Sequence, residues 1–291
     1  MKNIFFSLLL VFVLIGCLFE SDKPIRIVTN SWIGYAPLFY ANEKGYLKDM
    51  NVKLITTVSL GEASEVFSVG KADMVTTTQH EYYLLKEVFK TLVPVILIDR
   101  SYGGDMILSN KTLEEIKANK KKIYVYLEID SINSELINMF LKQHSIDKSR
   151  IVYIDGDQAE LQDTKNEADK NQIIVTYTPY DLTFLKRGFK PLATTKNIKN
   201  LIVIDSICTT KEFLDKNLVK IKALNDVINR SIEEIKKNPK EVYELTKSYL
   251  NNISYKDFLN SLDGIKWINH PTEELLDRLK TIDYKRKYLV Q

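Results

Sequence analysis

Short apolar runs alternate with stretches of helical periodicity along most of the chain after residue 24. Runs rich in β-branched residues predict strands at 25–29, 52–58, 74–78 and 92–98. The stretches between them predict helices at 37–44, 61–69 and 81–90. Pro37 suits a first helical turn, and Gly45 suits a helix C-cap. This order of elements favours an α/β fold with mainly parallel sheets.

The second half of the chain repeats this order after an interruption at Gly103 and Gly104. Two adjacent glycines after a strand are typical of a crossing between lobes, although an ordinary turn explains them equally well. Further strands are predicted at 106–108, 123–127, 151–154, 172–177 and 190–194. Further helices are predicted from 113 and at 131–144. A second crossing is predicted at 197–200, followed by a strand at 202–204.

The chain from residue 211 onwards is predicted to be mostly helical. Its longest helix, 211–237, has apolar residues at the spacing of a buried stripe: Leu214, Leu218, Ile221, Leu224, Val227, Ile228, Ile232 and Ile235. Two strand-and-helix units joined by two crossings predict a bilobed protein with a cleft. The first lobe is expected at 24–102 and 199–291, and the second at 103–198.

The N-terminal sixteen residues have a different character. A positive charge at Lys2 precedes residues 4–15, which are apolar except for Ser7. Twelve helical residues span about 18 Å, well short of a hydrocarbon core of about 30 Å, so residues 1–16 are predicted to be a secretory signal peptide. Residues 14–17 (LIGC) resemble the bacterial lipobox, which implies a lipid on Cys17 and a membrane tether over 17–23. The alternative is an unlipidated signal with Cys17 in its apolar region.

Composition and charge exclude several classes of protein. The 291 residues are 45% hydrophobic, as expected of a globular chain, and Lys+Arg 41 against Asp+Glu 38 give a formal charge of +3. That balance predicts no nucleic-acid partner. With only Cys17 and Cys208, a disulfide framework and a Cys-rich zinc module are excluded. The three histidines are far apart, and no phosphate loop or nucleophile motif is present, so neither a metal, a cofactor nor catalysis is predicted.

Candidate binding residues come from loops that follow predicted strands, because ligands of open parallel sheets bind at the strand C-termini. Small hydroxyls and amides beside aromatic rings predict a site for a small polar ligand. The candidates are Trp32, Gly34, Tyr35, Ser59, Gly61, Glu62, Thr77, Thr78, Glu128, Ser131, Asn133, Tyr177 and Asp181. Two alternatives stay open: a role for Ser59, Ser131 and Asn133 as helix N-caps alone, and a role for Trp32 as a core residue alone.

Several motifs resemble one family of substrate-binding proteins. They are WIGYAPL at 32–38, ANEKGY at 41–46, VFSVGKAD at 66–73, DRSYGGD at 99–105 and YTPY at 177–180. The family serves ABC importers for taurine, aliphatic sulfonates, nitrate and thiamine-precursor pyrimidines. The resemblance implies a type II periplasmic-binding fold, with two lobes and two hinge crossings. It also implies an extracytoplasmic, monomeric protein that captures a small polar or aromatic solute by hinge closure and delivers it to an ABC permease and its ATPase.

Some residues depart from the family pattern. Many relatives have an acidic residue at the position of Thr178, and the candidate loops contain the acids Glu62, Glu81, Glu128, Asp130 and Asp181 but no arginine. Arg100, at the predicted hinge, is the nearest candidate cation. Helix N-termini and hydroxyls alone would suffice for a sulfonate or nitrate. The acid-rich cleft nevertheless favours a neutral or cationic ligand, such as a pyrimidine or an amine.

The hypothesis of a solute receptor gives the candidate residues roles within the cleft. Trp32 and Tyr35 are expected to form a flat wall, and Ser59, Thr77 and Thr78 to supply hydrogen bonds from the first lobe. The second lobe is expected to contribute Glu128, Ser131 and Asn133. Yeast-type pyrimidine synthases share this fold, but their Cys-rich pattern is missing from the chain, so no enzyme is predicted. The alternative function is a receptor that signals to a membrane kinase or cyclase.

Overall fold

The computed structural model describes residues 23–280, 284 and 286–291. The predicted signal peptide and Cys17 lie outside these residues. The strands are β1 Ile25–Asn30, β2 Val52–Thr57, β3 Met74–Thr77, β4 Leu92–Ser101, β5 Asp105–Ser109, β6 Ile123–Leu127, β7 Ile151–Asp155, β8 Asn171–Tyr177, β9 Lys190–Thr194, β10 Ile204–Thr210 and β11 Ile265–Trp267. They form a first sheet in the order β11-β4-β10-β3-β1-β2 and a second sheet in the order β7-β6-β8-β5-β9.

Helices connect and cover these strands. They are α1 Ala36–Glu43, α2 Tyr46–Asp49, α3 Leu60–Ser68, α4 Gln79–Val88, α5 Leu113–Ala118, α6 Ile132–Gln143, α7 Gln158–Leu161, α8 Asp181–Lys186, α9 Lys211–Lys237, α10 Pro239–Thr246, α11 Tyr255–Leu262 and α12 Glu273–Leu279. Short 3-10 turns occupy Ile33–Tyr35, Lys148–Arg150, Lys247–Leu250 and Arg286–Tyr288. None of these helices is long and apolar enough to cross a membrane.

Most strands of each sheet point in one direction. In the first sheet β1 is parallel to β2 and β3, and β10 is antiparallel to both β3 and β4. Strands β1 to β4 therefore share a direction, and β10 enters between β3 and β4 from the opposite end. Its first residues thus lie beside the C-terminal ends of those strands, with Asp205 opposite Asp99 and Ser206 opposite Thr77. In the second sheet β5 alone runs against the other four strands.

Two crossings join the sheets and lie side by side. The first links β4 to β5, and the second links β9 to β10, as the sequence predicts. The hydroxyls of Ser101 and Thr195 lie 2.9 Å apart, and the backbone N–H of Gly103 donates to the Thr195 hydroxyl at 2.6 Å. These hydrogen bonds join one crossing to the other, so the two sheets are connected by two adjacent segments of chain.

Two elements differ from the sequence prediction near these crossings. The strand predicted at 202–204 begins at Ile204, because the side-chain amide of Gln79 bonds the carbonyl of Ile202 and the N–H of Ile204. Those backbone groups are therefore satisfied without a neighbouring strand. Within the region predicted as mostly helical, β11 pairs with the end of β4 as an edge strand.

The long helix α9 has the predicted bounds, and most of its apolar stripe is buried against the first sheet. Leu218 is an exception, with 42% exposure. The backbone departs from helical geometry at Asn217, where φ is −120°. This kink shifts the helical register between Leu214 and Ile221, and Leu218 consequently faces solvent.

Candidate functional site

A small cavity lies between the C-terminal ends of the first sheet's strands and the second sheet. Its lining residues are Asn30, Trp32, Tyr35, Leu60, Thr78, Asp105, Tyr177 and Asp205. Its volume of about 10 Å³ gives room for about one water-sized group. Since Asp105 and Tyr177 belong to the second sheet and the other residues to the first-sheet side, this inner cavity is closed by both sheets.

Two aspartates on adjacent strands form the floor of this region. Asp99 on β4 and Asp205 on β10 are direct cross-strand neighbours, so their side chains leave the same face of the sheet. The indole N–H of Trp32 lies 3.2 and 3.4 Å from the two Asp99 oxygens, and the Tyr35 hydroxyl donates to Asp205 at 2.5 Å. Burial is the main cause that raises the pKa of both carboxyls well above the ordinary value, and the neighbouring acids add to it.

The short turn after β1 places both aromatic donors. The 3-10 turn Ile33–Tyr35 follows directly on Trp32, so the two rings reach neighbouring strands of the same sheet. A Cβ at Gly34 would lie well inside contact distance of the Asp99 carboxylate and of Trp32 Nε1. A Cβ at Gly104 would likewise collide with the Trp32 ring. Both glycines are therefore needed for the Trp32–Asp99 contact.

Polar contacts cross from one sheet to the other around the cavity. Asn30 Nδ2 donates to the Tyr177 hydroxyl at 3.1 Å, and the Tyr180 hydroxyl donates to the carbonyl of Val58 at 2.9 Å. The rings of Trp32 and Tyr177 meet edge to face, with centroids 5.8 Å apart. The two sheets thus touch through specific bonds on both sides of the cavity.

Glu81 joins two helix N-termini across the same junction. It forms a capping box with Thr78 at the start of α4, where its carboxylate accepts the Thr78 N–H at 2.9 Å and the Thr78 hydroxyl. Its other oxygen accepts the N–H of Ile132 at 2.9 Å, in the first turn of α6. One buried carboxylate therefore serves helix ends of both sheets, at positions where negative charge is favourable.

An outer groove of about 570 Å³ opens beside the cavity, between the start of α3 and loops of the second sheet. Its lining contains seven acidic residues: Glu62, Glu65, Glu128, Asp130, Asp155, Asp157 and Glu160. Burial, followed by the charge of Glu81, raises the pKa of Glu128 to about 8. Burial likewise raises the pKa of Asp105 in the inner cavity to about 7. Both the groove and the cavity are therefore acidic.

The structure brings together most of the residues that the sequence predicts for the site. Trp32, Tyr35, Thr78 and Tyr177 line the inner cavity, and Ser59, Gly61, Glu62 and Glu128 line the outer groove. The N-cap interpretation also holds for Ser59 and Ser131. Their hydroxyls accept the N–H groups of Glu62 and Asn133 at the starts of α3 and α6.

Five candidates line neither of these spaces, and their binding roles stay predictions; one of them, Gly34, lies in the turn after β1. The Thr77 hydroxyl lies 3.3 Å from Cys208 Sγ inside the first sheet. The Ser131 hydroxyl donates to the carbonyl of Glu128 at 3.0 Å. Asn133 is in the first turn of α6 rather than at its N-cap, and its buried side-chain amide has no hydrogen-bond partner. Asp181 is in the first turn of α8, where burial raises its pKa to about 6.

Sequence reasoning overlooked Asn30 and Asp205 and gave no role to Asp99 and Asp105. A usable signal was present, since Asp99 and Asp205 each follow an apolar run, and a buried acid needs a specific reason. Arg100, the arginine expected nearest the cleft, lines neither the cavity nor the groove. Arg100 lines a separate surface pocket with Arg278 and Glu274, because its side chain leaves the opposite face of β4 from that of Asp99. Within the described part of the chain, no cluster of three or more His, Cys, Asp or Glu side chains has a geometry suited to a metal ion.

A family model identifies the family of the chain, and solved structures show its fold. A family model described as "NMT1/THI5 like" matches residues 32–242. The search of curated protein sequences gave no match. Among solved structures with a similar fold, a periplasmic aliphatic sulphonate-binding protein of Escherichia coli has a TM-score of 0.71 and 14% identity, and the match covers 90% of this chain and 91% of that one. A Candida albicans protein with the generic periplasmic binding protein fold has a TM-score of 0.64 and 13% identity, with 91% of each chain covered. The periplasmic nitrate-binding protein of Synechocystis PCC 6803 has a TM-score of 0.65 and 13% identity, with 81% of this chain and 69% of that one covered. The expected periplasmic-binding fold is thereby confirmed.

Replacing Asp105 with asparagine is expected to stabilise the protein at neutral and alkaline pH. The raised pKa means that folded Asp105 keeps a proton that the unfolded chain has already released, so the stability contributed by this group falls as pH rises from about 4 to 7. D105N removes this cost. Urea unfolding should show a gain on the order of 4 kcal/mol at pH 8 and almost none near pH 4. The exposed Asp163→Asn is the control and should change neither value. A loss of stability in D105N at both pH values would contradict the prediction.

Adding a methyl group at Gly34 is expected to break the Trp32–Asp99 bond. G34A should lower the free energy of unfolding by on the order of 1–3 kcal/mol, because a buried carboxylate loses its donor and the ring is displaced. Gly61→Ala is the matched control, since its new Cβ would meet only the Ser59 hydroxyl at 3.8 Å. Denaturant unfolding of both variants, with the near-ultraviolet dichroism of tryptophan, measures the difference. Equal stability of the two variants would refute the role of Gly34.

Proposed function

The chain belongs to the NMT1/THI5-like family, and on that premise we propose that it is the extracytoplasmic solute receptor of an ABC importer. The solute would bind between the two sheets, at the inner cavity and the outer groove beside it. The sulphonate- and nitrate-binding proteins with this fold bind their named ligands in the periplasm, which supports a transport role here. The particular solute of this chain is a separate question, since these structures share less than 25% identity with it.

The observation that carries this proposal is the inner cavity closed by both sheets. Unpartnered polar atoms remain at it despite near-complete burial, among them Asn30 Oδ1 and Asp105 Oδ2. Buried polar atoms of folded proteins usually have a hydrogen-bond partner, so such atoms are expected at a place that receives a ligand. A binding role accounts for them, whereas a purely structural junction would be better served by apolar side chains.

Closure around a solute would transmit binding to the permease. The two crossings are short and adjacent, and the Tyr180–Val58 and Asn30–Tyr177 bonds link groups that separate if the sheets rotate apart. A solute that contacts both sheets binds the closed arrangement better than the open one and so shifts the equilibrium toward it. The permease and its ATPase would then recognise the closed form.

The solute that co-purifies with the protein tests the function directly. We expect mass spectrometry of the purified full chain to identify a small molecule. Cells that lack the gene should lose uptake of that molecule and regain it with the wild-type chain. If a bound solute is found but uptake persists without the gene, the transport role is wrong and a signalling receptor takes its place.

Tyr180→Phe tests the closure mechanism, through its affinity for the solute that co-purifies. The variant removes one hydrogen bond between the sheets and no group that lines the cavity, so it should weaken solute affinity roughly 2- to 10-fold. The exposed Tyr153→Phe on the second sheet is the control and should bind normally. Unchanged affinity in Y180F would show that this bond is not part of closure.

A lipid anchor on Cys17 is part of the proposal and has its own test. In bacteria grown with an alkyne-tagged fatty acid, the wild-type chain should carry the label and sediment with membranes. Cys17→Ala should abolish the label and release the protein into the soluble fraction, whereas the buried Cys208→Ala should keep both properties. A labelled Cys17→Ala chain, or an unlabelled wild-type chain, would reject the anchor.

A further inference from the structure

The outer groove and the inner cavity have a one-sided charge. The seven acids of the groove come from both sides of the junction, since Glu62 and Glu65 belong to α3 and the other five belong to β7, α7 and loops of the second sheet. No lysine or arginine is among the residues that line either space. The ion pairs between described residues lie elsewhere, and none of them includes a carboxylate of these two spaces.

A second observation, independent of the charge, indicates what kind of group binds. Among the residues that line the cavity, Asn30 and Asp105 have buried acceptor oxygens, whereas the Asp205 carboxyl already accepts from the Tyr35 hydroxyl. Asn30 is 1% exposed and Asp105 is 4% exposed, yet Asn30 Oδ1 and Asp105 Oδ2 have no partner. In the groove, Glu128 Oε2 is equally buried and unpartnered. These orphan atoms are all acceptors, and they would be satisfied by a ligand that donates.

Several of the backbone donors that an anion would need are already occupied by the protein itself. At α3, the Ser59 hydroxyl accepts the N–H of Glu62, and the Glu62 carboxylate accepts the N–H of Val58. At α4 and α6, Glu81 accepts the N–H groups of Thr78 and Ile132. A sulfonate or nitrate bound at these helix ends would have to displace carboxylates and hydroxyls of the chain. The helix N-termini of this junction therefore do not favour an anion.

From these contacts we infer that the solute is an organic cation with a primary ammonium group, which enters the inner cavity while the rest of the molecule lies in the acidic groove. An ammonium group has N–H donors and no acceptor, which suits the two orphan acceptors Asn30 Oδ1 and Asp105 Oδ2 at a cavity of water size. The acids along the groove favour further positive charge on the remainder, as in a linear polyamine. This inference rests on the proposed function and names its substrate class.

The size of the cavity distinguishes between cations. A volume of about 10 Å³ receives a primary ammonium group but no trimethylammonium group, because three methyl groups need far more space than one water. The aromatic rings at the cavity are occupied as well, since Trp32 and Tyr177 pack edge to face against each other. The structure thus favours ammonium donors over a stacked quaternary cation.

Calorimetric titration of the full chain at pH 7.5 tests the inference with named probes: spermidine, putrescine, choline, methanesulfonate, nitrate and cytosine. We expect spermidine and putrescine to bind and the other four compounds to bind at least tenfold more weakly. Affinity for spermidine should fall when sodium chloride is raised from 20 to 200 mM, because the groove is open to solvent. A preference for choline would overturn the assignment of a primary ammonium group.

Variants separate a binding role of the acids from a structural one. D105N and Glu128→Gln should each weaken spermidine binding at least tenfold, while Asp163→Asn, which is exposed and lines neither space, should leave it unchanged. Since D105N is expected to stabilise the empty protein, a loss of binding cannot be attributed to unfolding. Unaltered spermidine affinity in both variants would overturn the inference.

The failure of this inference and that of the proposed function give different results. Tight binding of methanesulfonate, nitrate or cytosine, with spermidine inactive, would overturn the cation assignment and leave a solute receptor. A co-purified anion or neutral molecule would do the same. If no probe binds and no small molecule co-purifies, both the cation assignment and the receptor function are refuted.

Discussion

The junction between the two sheets depends on how buried carboxylates are held without a cation. Asp99, Asp205, Asp105 and Glu81 are all almost fully buried, and none of them takes part in an ion pair between described residues. A neutral donor stabilises three of them: the Trp32 indole serves Asp99, the Tyr35 hydroxyl serves Asp205, and backbone N–H groups serve Glu81. The position of the turn after β1 and the entry of β10 between β3 and β4 are both constrained by these bonds. The close approach of Gly34 follows from the same requirement.

This arrangement costs stability, which points to a role other than folding. Hydrogen bonds from neutral donors offset part of the desolvation of a carboxylate, but an apolar side chain of similar size would cost less. Protonation relieves the cost as well, and the raised pKa values of Asp105 and Glu128 indicate that these groups are partly neutral near pH 7. A positively charged ligand would take the place of those protons. Residues that weaken the empty protein are typical of sites that selection maintains for binding.

The sequence predicted the alternation of strands and helices well, because β-branched runs and helical periodicity are local signals. It located Trp32 and Tyr35 for the same reason, since both follow a recognisable strand. The sequence did not predict the pairing of Asp99 with Asp205, because that register depends on β10, which is more than 100 residues away in the chain. Thr77 illustrates a smaller limit. Alternate residues of a strand point to opposite faces, so Thr76 contacts Thr29 whereas Thr77 contacts Cys208.

A common fold leaves the charge of the ligand free to change. In this architecture the strand ends and helix N-termini meet at the cleft, and bare helix N-termini attract anions through their N–H groups and the helix dipole. A single acid placed at N3 of one helix reverses that preference, as Glu81 does by occupying the starts of both α4 and α6. Once those N–H groups are occupied, additional acids such as Glu128 favour a ligand that donates hydrogen bonds over one that accepts them. The fold therefore positions the ligand, while a few caps and carboxylates decide its charge.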